Sequence, residues 1–159
     1  MLRMSSLVTT GTIRVPLKAT DRDGVIAELM DAMIQAGIAP EQSRGELLAR
    51  VMDRERRGST GVGRGVGVPH VKHSSIKSIA AGIGVSARGV DFNSLDRQPV
   101  YTVVLLLSPE DRPEEHLQAM EVIFRHLGKE TFRRALRQCA GAEDVRRMLE
   151  DADGQQLPG

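Results

Sequence analysis

The chain has 159 residues, 22 Lys plus Arg against 21 Asp plus Glu, and a formal net charge of +1. That is room for one sizeable core, with no overall field to draw nucleic acid or an anionic membrane surface. No tryptophan, one tyrosine and three phenylalanines leave little aromatic surface for stacking on bases or sugar rings.

The opening MLRMSSLVTT lacks an apolar core of signal-peptide length. The longest apolar run, Val100 to Leu107, is far short of the ~20 residues that span a bilayer. A cytoplasmic protein without direct membrane insertion is the expectation. A single domain over residues 1–151 with a flexible tail at 152–159 is the expected organisation.

Thr12 to Leu17 reads as a short first strand, with Pro16 marking its edge or end. Thr20 with Asp23 is a capping-box signal, and Val25, Ile26, Leu29, Met30, Met33 and Ile34 then recur at helical spacing until Gly37. A second helix follows Pro40, with Ser43 and Glu46 as another capping box. Leu47, Leu48, Val51 and Met52 form its apolar face, and Gly58 its C-cap.

Gly61, Gly63, Gly65 and Gly67 then take every second place, and Val66 and Val68 indicate a strand that Pro69 ends. Residues 79–87 read as a strand blurred by Gly82 and Gly84. Tyr101 to Leu107, apolar on both faces, reads as the centre of a covered sheet. Three helices close the chain, at about 113–127, 129–139 and 142–151. Single Cys139 excludes an internal disulfide, fits a reducing compartment and sits in that helical pattern as a small apolar filler. Helices flanking strands in this order predict a mixed sheet covered on both faces.

The glycines do not match either the G-x-G-x-x-G dinucleotide pattern or a G-x-x-x-x-G-K-[ST] phosphate loop. They let backbone pass close to something bulky, either packed side chains or a phosphoryl group met by bare N–H groups. His70 follows the strand-breaking Pro69, which places its ring at the rim of the sheet. It reads either as a turn histidine bonded to backbone or as a nucleophile, since imidazole has an ordinary pKa of ~6.5.

His116 opens a helix behind Glu114 and Glu115, where a cationic ring is not favoured by the macrodipole. His126, near the other end of that helix, reads as dipole complementation. Arg54, Arg56 and Arg57 belong to a charged helix end, ordinarily a solvated face, although arginine is the residue suited to bidentate phosphate contacts. Spacing alone does not choose among the three.

Arg54-Glu-Arg-Arg-Gly-Ser-Thr-Gly-Val-Gly, Gly65-Val-Gly-Val-Pro-His70 and Glu115-His116-Leu117 together resemble enzyme IIA of the fructose/mannitol class. These are phosphocarrier domains of the phosphoenolpyruvate-dependent sugar phosphotransferase system. The wording around Gly58-Ser-Thr-Gly is nearest the nitrogen-regulatory, free-standing branch. The resemblance covers about Thr12 to Asp151 and implies an α/β fold, a three-layer α/β/α sandwich with a mixed parallel/antiparallel sheet. It implies a phosphotransferase with His70 as the phosphorylated histidine, through Nε2, and HPr as donor. Arg54 and His116 match the phosphate-site arginine and second histidine, and Ser59, Thr60 and the glycine N–H groups are further candidate donors. No cofactor or metal is implied.

The chain departs from the family in having Val71-Lys72-His73 after Pro-His, where glycine usually comes first; a left-handed backbone there would strain Val71. The expected function is a cytoplasmic phosphocarrier whose phosphorylation state regulates a target protein. With no permease or HPr segment in the sequence, this takes precedence over a sugar-transport enzyme IIA passing phosphate to a separate permease domain. A metal-binding module built on His70, His73 and His116 is the alternative from another class.

Overall fold

The computed structural model describes residues 2–154. Among them six strands form one mixed sheet: β1 (Ile13–Arg14), β2 (Gly61–Gly63), β3 (Val66–Gly67), β4 (His70–His73), β5 (Ala80–Val90) and β6 (Val100–Pro109). The helices are α1 (Met4–Leu7), α2 (Arg22–Gln35), α3 (Arg44–Arg57), α4 (Pro113–Leu127), α5 (Glu130–Gln138) and α6 (Ala142–Gly154). β6 is central, as its two apolar faces require. It pairs antiparallel with β5 on one side and parallel with β3 and then β4 on the other.

Alternation along β6 divides the core. Val104 and Leu106 point to a layer formed by α1, α4, α5 and α6. Val103, Leu105 and Leu107 point to the layer of α2 and α3. The fold is therefore the expected α/β arrangement with helices on both faces of a mixed sheet.

Several local expectations give way to tertiary partners. Asp21, not Thr20, caps α2, accepting a 2.7 Å bond from the Gly24 N–H. A 3₁₀ turn over Glu41–Ser43 precedes α3; Ser43 makes no side-chain cap bond, and Glu46 turns instead to β4. Pro69 interrupts the strand without ending it. Pro69 O accepts from Leu106 N at 3.0 Å, and pairing resumes at His70 opposite Leu106, so His70 lies in the ladder rather than beyond it.

The glycine run is mostly a hairpin, β2 and β3 joined by Arg64 and Gly65 at φ 61° and 79°. Gly67 lies against Phe92, whose ring would stand 3.1 Å from a Cβ there. A packed side chain is the bulky neighbour that Gly67 meets.

Residues 152–154, expected to belong to a flexible tail, are helical. α6 runs to Gly154, and the buried Asp153 accepts from Met4 N at 3.1 Å and Ser5 N at 3.0 Å, fastening α6 to α1. Residues 155–159 of that expected tail lie outside the described residues. Cys139 is partly buried, its thiol donating to Ala135 O, and burial pushes its pKa up. No helix among the described residues is long and apolar enough to cross a membrane.

Candidate functional site: a histidine pair at the end of the central strand

β4 alternates between the two layers. Val71 packs into the α2–α3 core as an ordinary strand residue with no left-handed φ, so the missing glycine introduces no strain. His70 and Lys72 face the α4 side, opposite Leu106 and Ser108 in register. His116, on the first turn of α4, meets His70 there with ring centroids 5.5 Å apart. The pairing expected from two separate motifs is present.

Each ring has one nitrogen tied down. His70 Nδ1 lies 2.9 Å from Val68 O. A carbonyl only accepts, so Nδ1 carries the proton in the neutral ring and Nε2 keeps a lone pair. His70 is half-buried. His116 Nδ1 lies 2.6 Å from the buried Ser108 hydroxyl, which leaves its Nε2 for another partner. Burial, then His70 and Lys72, lower the pKa of His116 to about 4, so the ring is neutral near pH 7.

Arg54 is exposed at the end of α3 and donates from Nη1 to Gly58 O at 2.7 Å. Among the described residues no hydrogen bond or ion pair joins it to either histidine. Ser59 donates to Phe92 O at 2.6 Å and accepts from Gly61 N at 2.9 Å, which also occupies that glycine N–H. The Thr60 hydroxyl donates to Glu55, whose other oxygen accepts from Thr60 N at 3.1 Å.

Glu55 and Ser108 escaped the sequence reading. Glu55 is only 3% exposed although it lies inside a run read as a solvated face. Its position four residues after Val51, itself four after Leu47, was the available signal, placing it on the buried stripe of α3. Ser108 carries only a weak signal, as the first polar residue after the apolar run of β6.

His73 has a different role from His70. It is buried on the α3 side; its Nδ1 accepts from Ser75 N at 3.0 Å, and Nε2 therefore donates to Glu46 at 3.0 Å. That bond holds the Glu46 carboxyl below its usual range. With both nitrogens engaged and its ring on the opposite face, His73 cannot share a metal ion with His70. Among the described residues no group of three or more His, Cys, Asp or Glu is placed to hold one. His126 differs from expectation as well: it is buried against Phe132, ring centroids 5.1 Å apart, and burial lowers its pKa, so it is a neutral core ring rather than a cation for the helix dipole.

The mixed sheet thus presents one half-buried imidazole beside a second, neutral imidazole. The chain's sequence gives the particular class. The profile described as "Phosphoenolpyruvate-dependent sugar phosphotransferase system, EIIA 2" matches residues 6–152, and the chain belongs to that family, the phosphotransfer components of a transferase system.

A "Nitrogen regulatory protein" of Pseudomonas aeruginosa is 30% identical over 98% of this chain and 100% of its own length. The "PTS system fructose-specific EIIABC component" of Bacillus subtilis is 31% identical over 91% of this chain, which spans only 22% of that relative. A fructose-specific EIIA component of Haloferax volcanii is 30% identical over 80% of this chain and 82% of its own. The fold matches the crystal structure of nitrogen regulatory protein IIA-Ntr from Neisseria meningitidis with a TM-score of 0.81, covering 91% of this chain and 97% of that one at 24% identity.

Proposed function

We propose that this chain accepts a phosphoryl group on His70 Nε2 from the phosphohistidine of an HPr-like carrier, and that its phosphorylation state regulates a target protein. The observation that carries the proposal is the 2.9 Å bond from His70 Nδ1 to Val68 O, which leaves the nucleophilic lone pair on Nε2. A new N–P bond forms at Nε2 as the donor's N–P bond breaks, and the donor nitrogen keeps the electron pair. His70 then carries positive charge shared with Nδ1–H, which the Val68 carbonyl stabilises. Because such a transition state is loose, positioning and charge neutralisation supply most of the catalysis.

His116 contributes in its neutral form. When Ser108 donates to Nδ1, the His116 Nε2–H points its one proton outward as a donor. The arriving group brings about −1.5 to −2 charges, which raises the His116 pKa and strengthens that contact. Arg54 uses one N–H on Gly58 O and keeps four for phosphoryl oxygens. Ser59 and Thr60 already spend their hydroxyl protons on Phe92 O and Glu55; in this reading they hold the loop that carries Arg54's acceptor.

The match to a nitrogen regulatory protein over 98% of this chain and 100% of that one favours regulation. Similarity to fructose-specific EIIA components favours the second reading, transfer to a separate permease domain. Incubation with phosphoenolpyruvate, enzyme I and HPr should add one acid-labile phosphoryl group, seen by intact mass at neutral or basic pH. A paired pull-down with the two forms should then retain at least one non-permease protein differently. Equal retention of every partner, with rapid transfer to a permease domain, would replace regulation by transport.

A further inference from the structure

At the far end of the sheet from His70, where β6 begins, an open cavity of about 470 Å³ is lined by four arginines. Arg64 comes from the hairpin tip, and Arg133, Arg134 and Arg137 from α5. Val66 of the cavity wall pairs with Thr102, whereas His70 pairs with Leu106, so this surface is separate from the histidine pair. Glu130, also in the wall, is bonded to Arg134 at 2.7 Å. Among the described residues no carboxylate pairs with the side chains of the other three.

Those three are aimed by groups that leave their charge uncompensated. Arg133 Nη1 donates to Leu127 O at 2.7 Å, Arg64 Nη1 to Gly128 O at 3.4 Å, and the Arg137 guanidinium sits 3.7 Å from the Tyr101 ring centroid. Each keeps most of its five N–H donors. Arg64 also occupies φ 61° in a two-residue turn, where Asn, Asp or Gly is favoured. Strained backbone of this kind concentrates at binding sites.

Tyr101 offers little surface for a nucleobase. Arg137 covers one face, and Cβ atoms on Gly65 and Gly89 would lie 3.3 and 3.1 Å from its ring edges. Recognition here is by charge and by guanidinium forks. We propose that the cavity binds a compact anion bearing two phosphoryl groups, of the diphosphate or bisphosphate class, through Arg64, Arg133 and Arg137. Two phosphoryl groups carry roughly −3 to −4 charges, matching three uncompensated guanidiniums better than a single phosphate does. Planar forks suit their oxygens.

The test is calorimetric titration of the full chain at low salt with inorganic diphosphate, a hexose bisphosphate, orthophosphate and a short polyglutamate peptide. The expected result is one-to-one binding of diphosphate or the bisphosphate, at least about tenfold tighter than orthophosphate. The relative affinity of the first two identifies which source is preferred. Arg64→Asn, which suits the turn, and Arg137→Gln should each weaken binding about tenfold while the ligand-free melting temperature stays near wild type. His70→Ala should leave it unchanged. Undiminished binding in both arginine variants, loss of binding in His70→Ala, or equal affinity for orthophosphate or polyglutamate would overturn the proposal.

Discussion

His70 and His73 share one four-residue strand and face opposite layers of the molecule. His70 looks toward α4, keeps one nitrogen without a hydrogen bond among the described residues and meets a second histidine. His73 looks toward α3, where Ser75 and Glu46 engage both of its nitrogens and bury it. The two rings are chemically identical, so their partners decide which can act as a nucleophile. A lone pair survives only where a carbonyl rather than a donor faces the other nitrogen.

The comparison breaks most sharply at the proposed phosphoryl acceptor. His70→Ala should abolish labelling from phospho-HPr, while His73→Ala should still gain one phosphoryl group, both read by intact mass. Labelling that survives in His70→Ala and disappears in His73→Ala would invert the assignment.

Next come the groups proposed to meet the phosphoryl oxygens. Arg54→Ala and His116→Ala should each remove about 2–4 kcal/mol of transition-state stabilisation, comparable to deleting one oxyanion donor. Arg54→Lys should recover only part, because the fork is lost. Single-turnover transfer from phospho-HPr measures this, and near wild-type rates for both alanine variants would remove them from the site.

His73 should repay mutation in stability rather than rate. Losing a buried, doubly bonded ring costs about 1–3 kcal/mol by urea unfolding, with transfer little changed. Zinc added to the wild type should shift the melting temperature little, since the two histidines cannot converge on one ion.

A smaller effect concerns pH. His116 has a folded pKa of about 4, below its ordinary ~6.5. Between those values the unfolded chain binds the extra proton, so stability is full above pH ~6.5 and falls as the pH drops toward about 4. His116→Gln should flatten part of that slope. The buried His126, shifted in the same direction, should supply another part. Urea unfolding at a series of pH values separates them, and an unchanged slope in His116→Gln would show that the fold does not lower the pKa of this ring. Phosphorylation of His70 should raise the His116 pKa, visible in its ring NMR shifts.

Much of this was legible from residue order. The apolar run of β6 announced a central strand, helical periodicity located α2 to α6, and three motifs identified the family and paired His70 with His116. Such signals are local or repetitive, and they survive because burial on one face forces the same spacing wherever the element lies. Tertiary structure decided what distant partners do. Glu46 serves His73 instead of capping α3, and Glu55 is drawn inside to hold Thr60. Asp153 fastens α1 instead of fraying, and Pro69 interrupts a strand that β6 then re-forms. Hydrogen bonds and desolvation depend on which atoms meet across the fold, often from segments far apart in the chain. Spacing along the sequence carries no record of those meetings.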